Sequence, residues 1–476
     1  MHRLGANWDF AANAWSALGA GAAMGLMHAL AVRLVPPSAP VSGRARSLAA
    51  LFPVALLLFN PVWTDVATLA EVYSWHQAWV MAAALVFVGF MRAIAAASAA
   101  AGPASSPAGS HRFLARAAGW GFLMGLGFSH HATSVLVAAP FCLVLLIALA
   151  RARRLGPGLI LAAMLSALVP LASYLSLLVK ASRPGLEIWF RLQPTWSGLW
   201  AHMTGAQYLG YLGGFAADAG HSRFLGLYVH PYLFTTLALL LVLAWRTRDA
   251  VERRLVWTLL AVVGIQTVFC FAYGVPDPSS YFLPPLGIAL TALVPLGVSF
   301  AAIGARPRRL VGVAALAIAV AAAAQSWPHA RIAIGRRDVL VALDRDMRKL
   351  WRSIPVEHGI VLWGSYRLRE YQLLAGERPG LHLIRPIDLT MPVTRARFVA
   401  RYGFDPFGSR ATTPGLVELP TDGGPAYEAF VQRLAVQLHL VTHEPVVLLS
   451  PSRDSLRVVE ASRPVGREEP PGAPRL

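Results

Sequence analysis

The chain has 476 residues, of which 56% are hydrophobic and only 14% are charged, a balance too apolar for a soluble domain of this size. Its net charge of +18 comes from 42 Lys and Arg against 24 Asp and Glu. The basic residues lie in short clusters between apolar runs and form no single basic block. This pattern argues against a nucleic-acid partner and is typical of the loops of a membrane protein. Cys142 and Cys270 lie inside apolar runs and predict neither a disulfide framework nor a metal site.

The apolar runs predict about ten transmembrane helices, since about 20 mostly apolar residues cross a bilayer. In chain order they lie near residues 11–34, 47–60, 66–91, 113–129, 131–150, 157–180, 227–245, 254–273, 281–304 and 308–326. The fourth and fifth runs are alternatively one helix that is broken at His130-His131.

Arginine residues divide the loops between these runs into two sets. One set carries Arg44 and Arg46, Arg92 to Arg116, Arg151 to Arg154, Arg246 to Arg254, and Arg306 to Arg309. Lys and Arg are enriched in cytoplasmic loops, so we expect this set to be cytoplasmic. The alternate loops, which carry few basic residues apart from the long loop near 181–226, are then extracytoplasmic, as is the chain after residue 326.

The chain changes character after residue 326, where charged residues become frequent and long apolar runs cease. Residues 359–363, 381–384 and 446–449 predict strands, and residues 366–374 and 426–438 have helical spacing. Alternating strands and helices predict a small extracytoplasmic α/β domain over 327–462, after a membrane domain over 1–326. Residues 463–476 are rich in Pro, Gly and charge, and we expect them to be disordered.

Ionisable residues near the ends of apolar runs are the first candidates for a functional site, because charge at membrane depth is costly. Residues 59–77 include Asp65, Glu71 and His76, with Tyr73 between the last two. Asp65 is either a helix N-cap, where its charge meets the positive end of the helix dipole, or a functional carboxylate. Glu71 lies deeper in the run, which favours a functional or buried-network role.

Further polar groups lie on the same predicted side. His130-His131 form either a polar turn or an imidazole site that holds phosphate or moves a proton. Asp277 and Tyr281 lie in a Pro-rich loop that is either a simple turn or part of a site. Arg191, in the long loop, is either surface charge or a phosphate ligand, because its planar guanidinium binds two oxygens. No spacing of His, Cys, Asp or Glu predicts a metal ion.

Four segments together resemble a known family, the bacterial membrane proteins related to protein O-mannosyltransferases. The first runs from Phe59-Asn60-Pro61-Val62-Trp63 through Ala70-Glu71-Val72-Tyr73-Ser74. The others are Gly125 to Thr133 with Pro140, Asn13 to Leu18, and Tyr273 to Pro284. His131, Asp277, Tyr281 and Pro284 occupy matching places. The resemblance covers most of the predicted membrane domain, and Glu-Val-Tyr is its most specific part.

This family is similar to the GT-C class of membrane glycosyltransferases. The resemblance implies an α-helical polytopic, GT-C-like fold that transfers a hexose such as mannose, with inversion, to a protein or other acceptor. The donor would be a polyprenyl-phosphate sugar in the bacterial inner (plasma) membrane, and the reaction would take place on its extracytoplasmic side without a further cofactor. Catalysis would fall to Glu71 and Asp65, and substrate binding to Tyr73, His130, His131, Arg191, Asp277 and Tyr281.

One part of the family pattern has no counterpart in this chain. The family carries an acidic D-x-G-E motif and a following HPPGyPL segment in its first outer loop, and that acid is the expected general base. Asp9 precedes the first apolar run but lacks this motif. The chain therefore either starts one span late or is a catalytically inactive relative that acts as a scaffold. A transporter of lipid-linked substrates is the rival class, for which internal repeats and broken helices are expected; the sequence shows no repeat.

Overall fold

The computed structural model is mostly helical and divides into two compact units. It describes residues 8–69, 72–99, 107–182, 192–206, 209, 212–213, 219–274, 278–363, 368, 371–372, 376–390, 392–408, 425–450 and 455–459. Unit 1 consists of Met1–Leu177 and Trp196–Gly335, and unit 2 consists of Leu178–Thr195 and Arg336–Leu476.

Unit 1 is built from helices. They are α1 (Trp8–Leu34), α2 (Gly43–Leu58), α3 (Pro61–Thr68), α4 (Tyr73–Ala99), α5 (Pro107–His130), α6 (Val135–Arg151), α7 (Pro157–Leu171), α8 (Ser173–Ala181), α9 (Trp196–Met203), α10 (Ala219–Tyr228), α11 (His230–Arg246), α12 (Ala250–Ala272), α13 (Leu283–Thr291), α14 (Leu293–Ala301) and α15 (Ala305–Ser353). Helices α8 and α15 continue into unit 2.

The described residues contain seven helical segments that are long and apolar enough to cross a membrane. The number rises to nine if each of two bent pairs is one span: α2 with α3, bent by 80°, and α10 with α11, bent by 49°. The chain therefore has the character of a membrane protein, with fewer candidate spans among the described residues than the roughly ten that the sequence predicts.

Three predicted runs differ from the helices that form. The run 66–91 is not one helix, because α3 ends at Thr68 and α4 begins at Tyr73. The run 113–129 lies within α5, whose glycine, serine, histidine and arginine residues keep it below the apolarity of the other spans. The run 308–326 is only the first part of α15, which continues through Pro328 to Ser353.

Helices α5 and α7 approach each other at an unusually short distance. A Cβ atom built on Gly121 would overlap the backbone carbonyl of Ala163, and one on Gly125 would overlap that of Ala167. The four-residue spacing on both helices places small residues on one face of each. Backbones that are in contact in this way gain van der Waals packing and leave no space for a larger side chain.

The arginine-rich loops gather at one end of unit 1, which we call the arginine end. Arg46 donates hydrogen bonds to the carbonyls of Pro37 and Ala39, at 3.2 and 2.9 Å. Arg154 donates to the carbonyl of Ala97 at 3.4 Å. A cavity of about 690 Å³ at this end is lined by residues of four segments: Pro36–Ser38, Arg92–Ala96, Leu243–Glu252 and Pro295–Ile303. Loops that the sequence predicts to share a side of the membrane thus share one end of the unit.

A bidentate ion pair stabilises the arginine end. Arg92 Nε lies 2.8 Å from Glu252 Oε1, and Nη2 lies 2.7 Å from Oε2, with both side chains about 15% exposed. Removing one partner of such a pair leaves the other charge poorly solvated. We expect Glu252→Gln to lower the free energy of unfolding by about 2–3 kcal/mol, measured by denaturant titration in detergent. Arg253→Gln, at an exposed neighbouring position, is the control; equal stability of the two variants would contradict a stabilising pair.

Unit 2 contains a four-stranded sheet with the order β2-β1-β3-β4. The strands are β1 (Gly359–Leu362), β2 (Leu381–Ile384), β3 (Val446–Ser450) and β4 (Ser455–Val459). β1 pairs in parallel with β2 and β3, and β4 pairs antiparallel with β3. The three predicted strands are confirmed, and β4 was not predicted.

Two apolar clusters pack against the two faces of this sheet. Val361 belongs to one cluster with Trp351, and Ile360 belongs to the other with Phe398. The second face is covered by α16 (Pro392–Tyr402) and α17 (Pro425–Thr442). A strand that is buried on both faces typically has a continuous aliphatic sequence. β1 has such a sequence. Most of the predicted helix 366–374 and the whole tail 463–476 lie outside the described residues.

Candidate functional site

Four side chains from three separate segments meet at the end of unit 1 where α4 begins. Tyr73 and His76 lie on the first turn of α4, His131 follows α5, and Tyr281 lies in a 3₁₀ turn before α13. We call these four residues the aromatic–imidazole cluster. The ring centroids of Tyr73 lie 5.6 Å from His131 and 5.4 Å from Tyr281, and those of His76 and His131 are 4.7 Å apart. Polar rings thus converge at one place although they are up to 208 positions apart in the chain, between Tyr73 and Tyr281.

His131 is held by the backbone of the turn that follows it. Its side chain caps the 3₁₀ turn Ala132–Ser134 by accepting a hydrogen bond from the N–H of Thr133, at 3.4 Å. The Thr133 hydroxyl lies 2.7 Å from the same nitrogen, Nδ1. Because Nδ1 acts as an acceptor, a neutral imidazole carries its proton on Nε2. His131 can therefore present one N–H donor to a bound group while its other nitrogen is fixed.

Thr133 also joins His131 to the buried His76. The Thr133 hydroxyl oxygen lies 3.4 Å from His76 Nε2, and the His76 side chain is 2% exposed. A hydroxyl that donates to one imidazole can accept from the other. The three side chains form a short polar path, and His76 lies at its buried end.

The buried face of α4 carries more polar groups than its packing satisfies. Among the described residues, Ser74 Oγ, His76 Nδ1 and both amide atoms of Gln77 have no hydrogen-bond partner, and neither does Nε2 of Gln266 on α12. Such atoms are rare in folded proteins because burial without a partner costs free energy. Ser74, His76 and Gln77 lie on the first turns of α4, at the same end of the helix as Tyr73.

His130 and its neighbour His131 point in different directions. His130 is exposed and its Nε2 lies 3.0 Å from the carbonyl oxygen of Val72, just before α4. Its ring lies 6.5 Å from that of His76. His130 therefore fixes the segment that leads into α4 and stands at the edge of the cluster.

Asp65 does not cap a helix, so that reading of the sequence is wrong. The N-cap of α3 is Asn60, whose side-chain oxygen accepts the N–H of Val62 at 3.0 Å. Asp65 lies one turn further along α3 and is half-buried. Helix α3 packs against α4 and against the 3₁₀ turn that carries Tyr281, so Asp65 belongs to an element that borders the cluster.

The structure describes only some of the predicted site residues. Tyr73, His131 and Tyr281 come together as the cluster, whereas Glu71, Arg191 and Asp277 lie outside the described residues. His76 was noted in the sequence but not assigned to the site; its signal is its spacing of three from Tyr73, which places both on one helix face. Among the residues that the structure describes, no group of three or more His, Cys, Asp or Glu could hold a metal ion.

Comparison with known proteins adds no relative. No family model matches the chain, and neither the curated proteins nor the solved structures include a match. The resemblance to the O-mannosyltransferase-related family therefore stays a prediction that depends on the four segments quoted above.

Proposed function

We propose that this protein is a membrane glycosyltransferase that moves a hexose from a polyprenyl-phosphate donor to a protein or other acceptor on the extracytoplasmic side of the bacterial inner membrane. The observation that carries the proposal is the aromatic–imidazole cluster. It gathers hydrogen-bond donors and aromatic rings at the end of unit 1 opposite to the arginine end, next to helices whose apolar faces suit a lipid tail.

The site chemistry suits a sugar bonded to phosphate. Aromatic side chains offer apolar faces against which a sugar ring can pack, and Tyr73 and Tyr281 place two such rings beside His131. The Nε2–H of His131 and the tyrosine hydroxyls are donors that can stabilise the charge of a departing phosphate. Arg191 and Asp277 are proposed to hold the phosphate and the sugar hydroxyls, as the resemblance implies.

The proposed reaction is a single displacement. The acceptor oxygen attacks the anomeric carbon, the bond from that carbon to the phosphate oxygen breaks, and polyprenyl phosphate leaves with the electron pair. The proton of the acceptor passes to a carboxylate. Glu71, two residues before Tyr73, is the proposed base, and Asp65 on the bordering helix is the second acidic candidate.

Donor turnover tests the proposal directly. Membranes that contain the protein are incubated with polyprenyl-phosphate [¹⁴C]mannose and an extract of native acceptors, and label is followed from the organic phase into protein or glycan. We expect transfer by the wild type and its loss in Glu71→Gln, while Asp346→Asn, at an exposed site on α15, remains active. Failure of the wild type to transfer hexose from any lipid-linked donor would overturn the proposal.

A transporter of lipid-linked substrates is the second candidate, and one observation favours it. The two bent helix pairs meet at their bends, where Asn60 Nδ2 donates to the carbonyl oxygen of Tyr228 at 2.7 Å. Broken helices that face each other are common at transporter binding sites. Proteoliposomes loaded with the labelled lipid distinguish the two functions: a transporter moves intact donor across the bilayer without an acceptor, whereas a transferase consumes it only when an acceptor is present.

A further inference from the structure

The cavity at the arginine end lies between the ends of several candidate membrane spans. Its wall is formed by the last turns of α4 and α11, the first turn of α12, one face of α14 and the segment after α1. Helices α1, α4, α12 and α14 belong to candidate spans, and α11 belongs to one of the two bent pairs. The volume of about 690 Å³ is within the range of sites that hold a small molecule. The cavity is therefore large enough for a ligand and lies where the spans reach a membrane boundary.

Two arginines of the cavity wall have no partner within the part of the chain that the structure describes. Arg246 is the last residue of α11, and Arg248 follows two positions later. Both residues are exposed, and neither forms a hydrogen bond, an ion pair or a ring contact with a described residue. A guanidinium group offers a planar fork of N–H donors that matches the oxygens of a phosphate. These two groups are therefore available to an anion.

The two carboxylates of the wall are already engaged. Glu252 holds Arg92 through both of its oxygens. Asp249 is the N-cap of α12, and its Oδ1 accepts hydrogen bonds from the N–H groups of Val251 and Glu252 at 2.9 and 2.8 Å. Neither carboxylate is paired with one of the two free arginines. The wall, with three arginines against two carboxylates, therefore has a positive net charge.

The loops around the cavity contribute no other acidic residue. Apart from Asp249 and Glu252, they contain no Asp or Glu. The stretches without an acidic residue are 10–64, 72–186, 219–248, 253–276 and 278–337. Further positive charge lies nearby, because Arg46 donates to the carbonyl of Pro37 in the wall at 3.2 Å and two more arginines follow on α12. The loops of the arginine end therefore do not cancel the positive charge of the wall.

Apolar side chains complete the cavity wall. Leu243, Leu296, Phe300 and Ile303 line it, and the last two are 47% and 72% exposed. A soluble anion would leave these side chains uncovered, whereas an acyl chain would pack against them. Basic pockets between transmembrane helices are known to bind the headgroups of anionic lipids. The wall therefore fits a ligand that combines a phosphate with an acyl chain.

We propose that the cavity at the arginine end binds one anionic phospholipid of the membrane. Its phosphate lies against Arg246 and Arg248, and an acyl chain lies against Phe300 and Ile303. The proposal depends on unit 1 lying in a membrane, and it does not depend on the transfer reaction or on the aromatic–imidazole cluster. Arginines that only determine the orientation of the chain would not distinguish one lipid from another, so the two explanations give different results.

Lipid binding to the full chain, purified in detergent and freed of native lipid, tests the proposal. The probe is dioctanoyl phosphatidylglycerol, and native mass spectrometry counts the bound molecules. Dioctanoyl phosphatidylcholine has the same chains without net charge, and glycerol 3-phosphate has the charge without chains. We expect saturable binding of one phosphatidylglycerol, about tenfold tighter than phosphatidylcholine or more, and no binding of glycerol 3-phosphate at the same concentrations. Equally tight binding of phosphatidylcholine would overturn the preference for an anionic lipid, and equally tight binding of glycerol 3-phosphate would make the ligand a soluble phosphate.

A pair of arginine substitutions locates the lipid. Arg246→Gln combined with Arg248→Gln removes both free guanidinium groups and should weaken binding about tenfold or more. The control is Arg112→Gln combined with Arg151→Gln, which removes two exposed arginines of the same loop set from outside the cavity. Arg151, like Arg246, lies in the last turn of a helix, and the control should bind as the wild type does. An equal loss in both pairs would show that the basic surface as a whole attracts the lipid, and would overturn the proposal.

A second matched pair of variants keeps every arginine in place. Ala96→Glu puts a negative charge at an exposed position of the cavity wall and should weaken binding about fivefold or more. Ser98→Glu puts the same charge two residues further along α4, on another side of the helix and outside the cavity, and should leave binding unchanged. If Ala96→Glu melts at the wild-type temperature and binds phosphatidylglycerol equally well, the lipid lies elsewhere and the proposal is wrong, whether or not the arginine pair folds.

Discussion

Replacing Gly121 with alanine is expected to destabilise the protein by about 3 kcal/mol or more, whereas the same replacement at Gly119, two residues away, is expected to stabilise it slightly. The new methyl group at Gly121 would overlap the carbonyl of Ala163 on α7, while a methyl group at Gly119 would have nothing within 4 Å. An exposed Gly→Ala change in a helix gains about 1 kcal/mol. The two substitutions are therefore expected to change the stability of the protein in opposite directions.

The large cost at Gly121 follows from what the methyl group would meet. A flexible side chain can rotate away from an added atom, but a backbone carbonyl moves only if the whole helix moves. Gly125 and Ala167 repeat the contact one turn further along, so α5 and α7 cannot separate at one point without losing contact at the other. In a membrane the hydrophobic effect would not hold the two helices together once this contact is lost, because lipid is as apolar as the helix surface.

Thermal unfolding in detergent, followed by size-exclusion chromatography of the protein that remains folded, measures both changes in stability. We expect the melting temperature of Gly121→Ala to fall by about 5 °C or more, and that of Gly119→Ala to remain or rise. Gly125→Ala should behave as Gly121→Ala does. If Gly121→Ala melts at the wild-type temperature, the two helices are not in backbone contact.

The sequence predicts those parts of the fold that local patterns determine. Short aliphatic runs predict β1 to β3 because a strand buried on both faces has no room for polar residues. Strand β4 escapes prediction because it pairs only with β3 at the sheet edge, where polar residues such as Ser455 and Arg457 are tolerated. The continuation of α15 beyond 326 was missed because Pro328 and the rising charge suggest an end, although the helix accommodates both.

The candidate site is predictable only in part, because local sequence patterns do not determine tertiary contacts. The sequence marks Tyr73, His131 and Tyr281 as polar residues at the ends of apolar runs, but periodicity does not show that they meet. The buried path through His76 and Thr133 depends on the angle between α4 and the turn after α5, which is a tertiary property.

Replacing His131 with asparagine is expected to reduce hexose transfer by about 100-fold or more, with little change in stability. The Asn oxygen can take the place of Nδ1 and accept the N–H of Thr133, as Asn does in helix caps. With the oxygen in that place, the amide NH₂ of Asn takes the position of the ring Cδ2 and does not reach that of the Nε2–H, the donor that we propose for the departing phosphate. Loss of one such donor typically lowers kcat by two to three orders of magnitude.

A second replacement separates this donor from the structural role of the residue. His131→Ala removes both the cap and the donor, so it should lose the same activity and also about 1 kcal/mol of stability. His443→Asn is the matched control, because His443 is exposed and has a positive φ of 56°, a conformation that asparagine adopts readily. Initial transfer rates at saturating acceptor, together with melting temperatures, give both quantities.

The pattern across the three variants decides the role of His131. Low activity with wild-type stability in His131→Asn, and full activity in His443→Asn, would identify the Nε2–H as a group that acts on the substrate. If His131→Asn transfers hexose at the wild-type rate while His131→Ala is unstable, His131 is a cap and nothing more. The donor for the phosphate would then have to come from the tyrosines of the cluster, and Tyr73→Phe and Tyr281→Phe, which keep the rings and remove only the hydroxyls, would show which of them provides it.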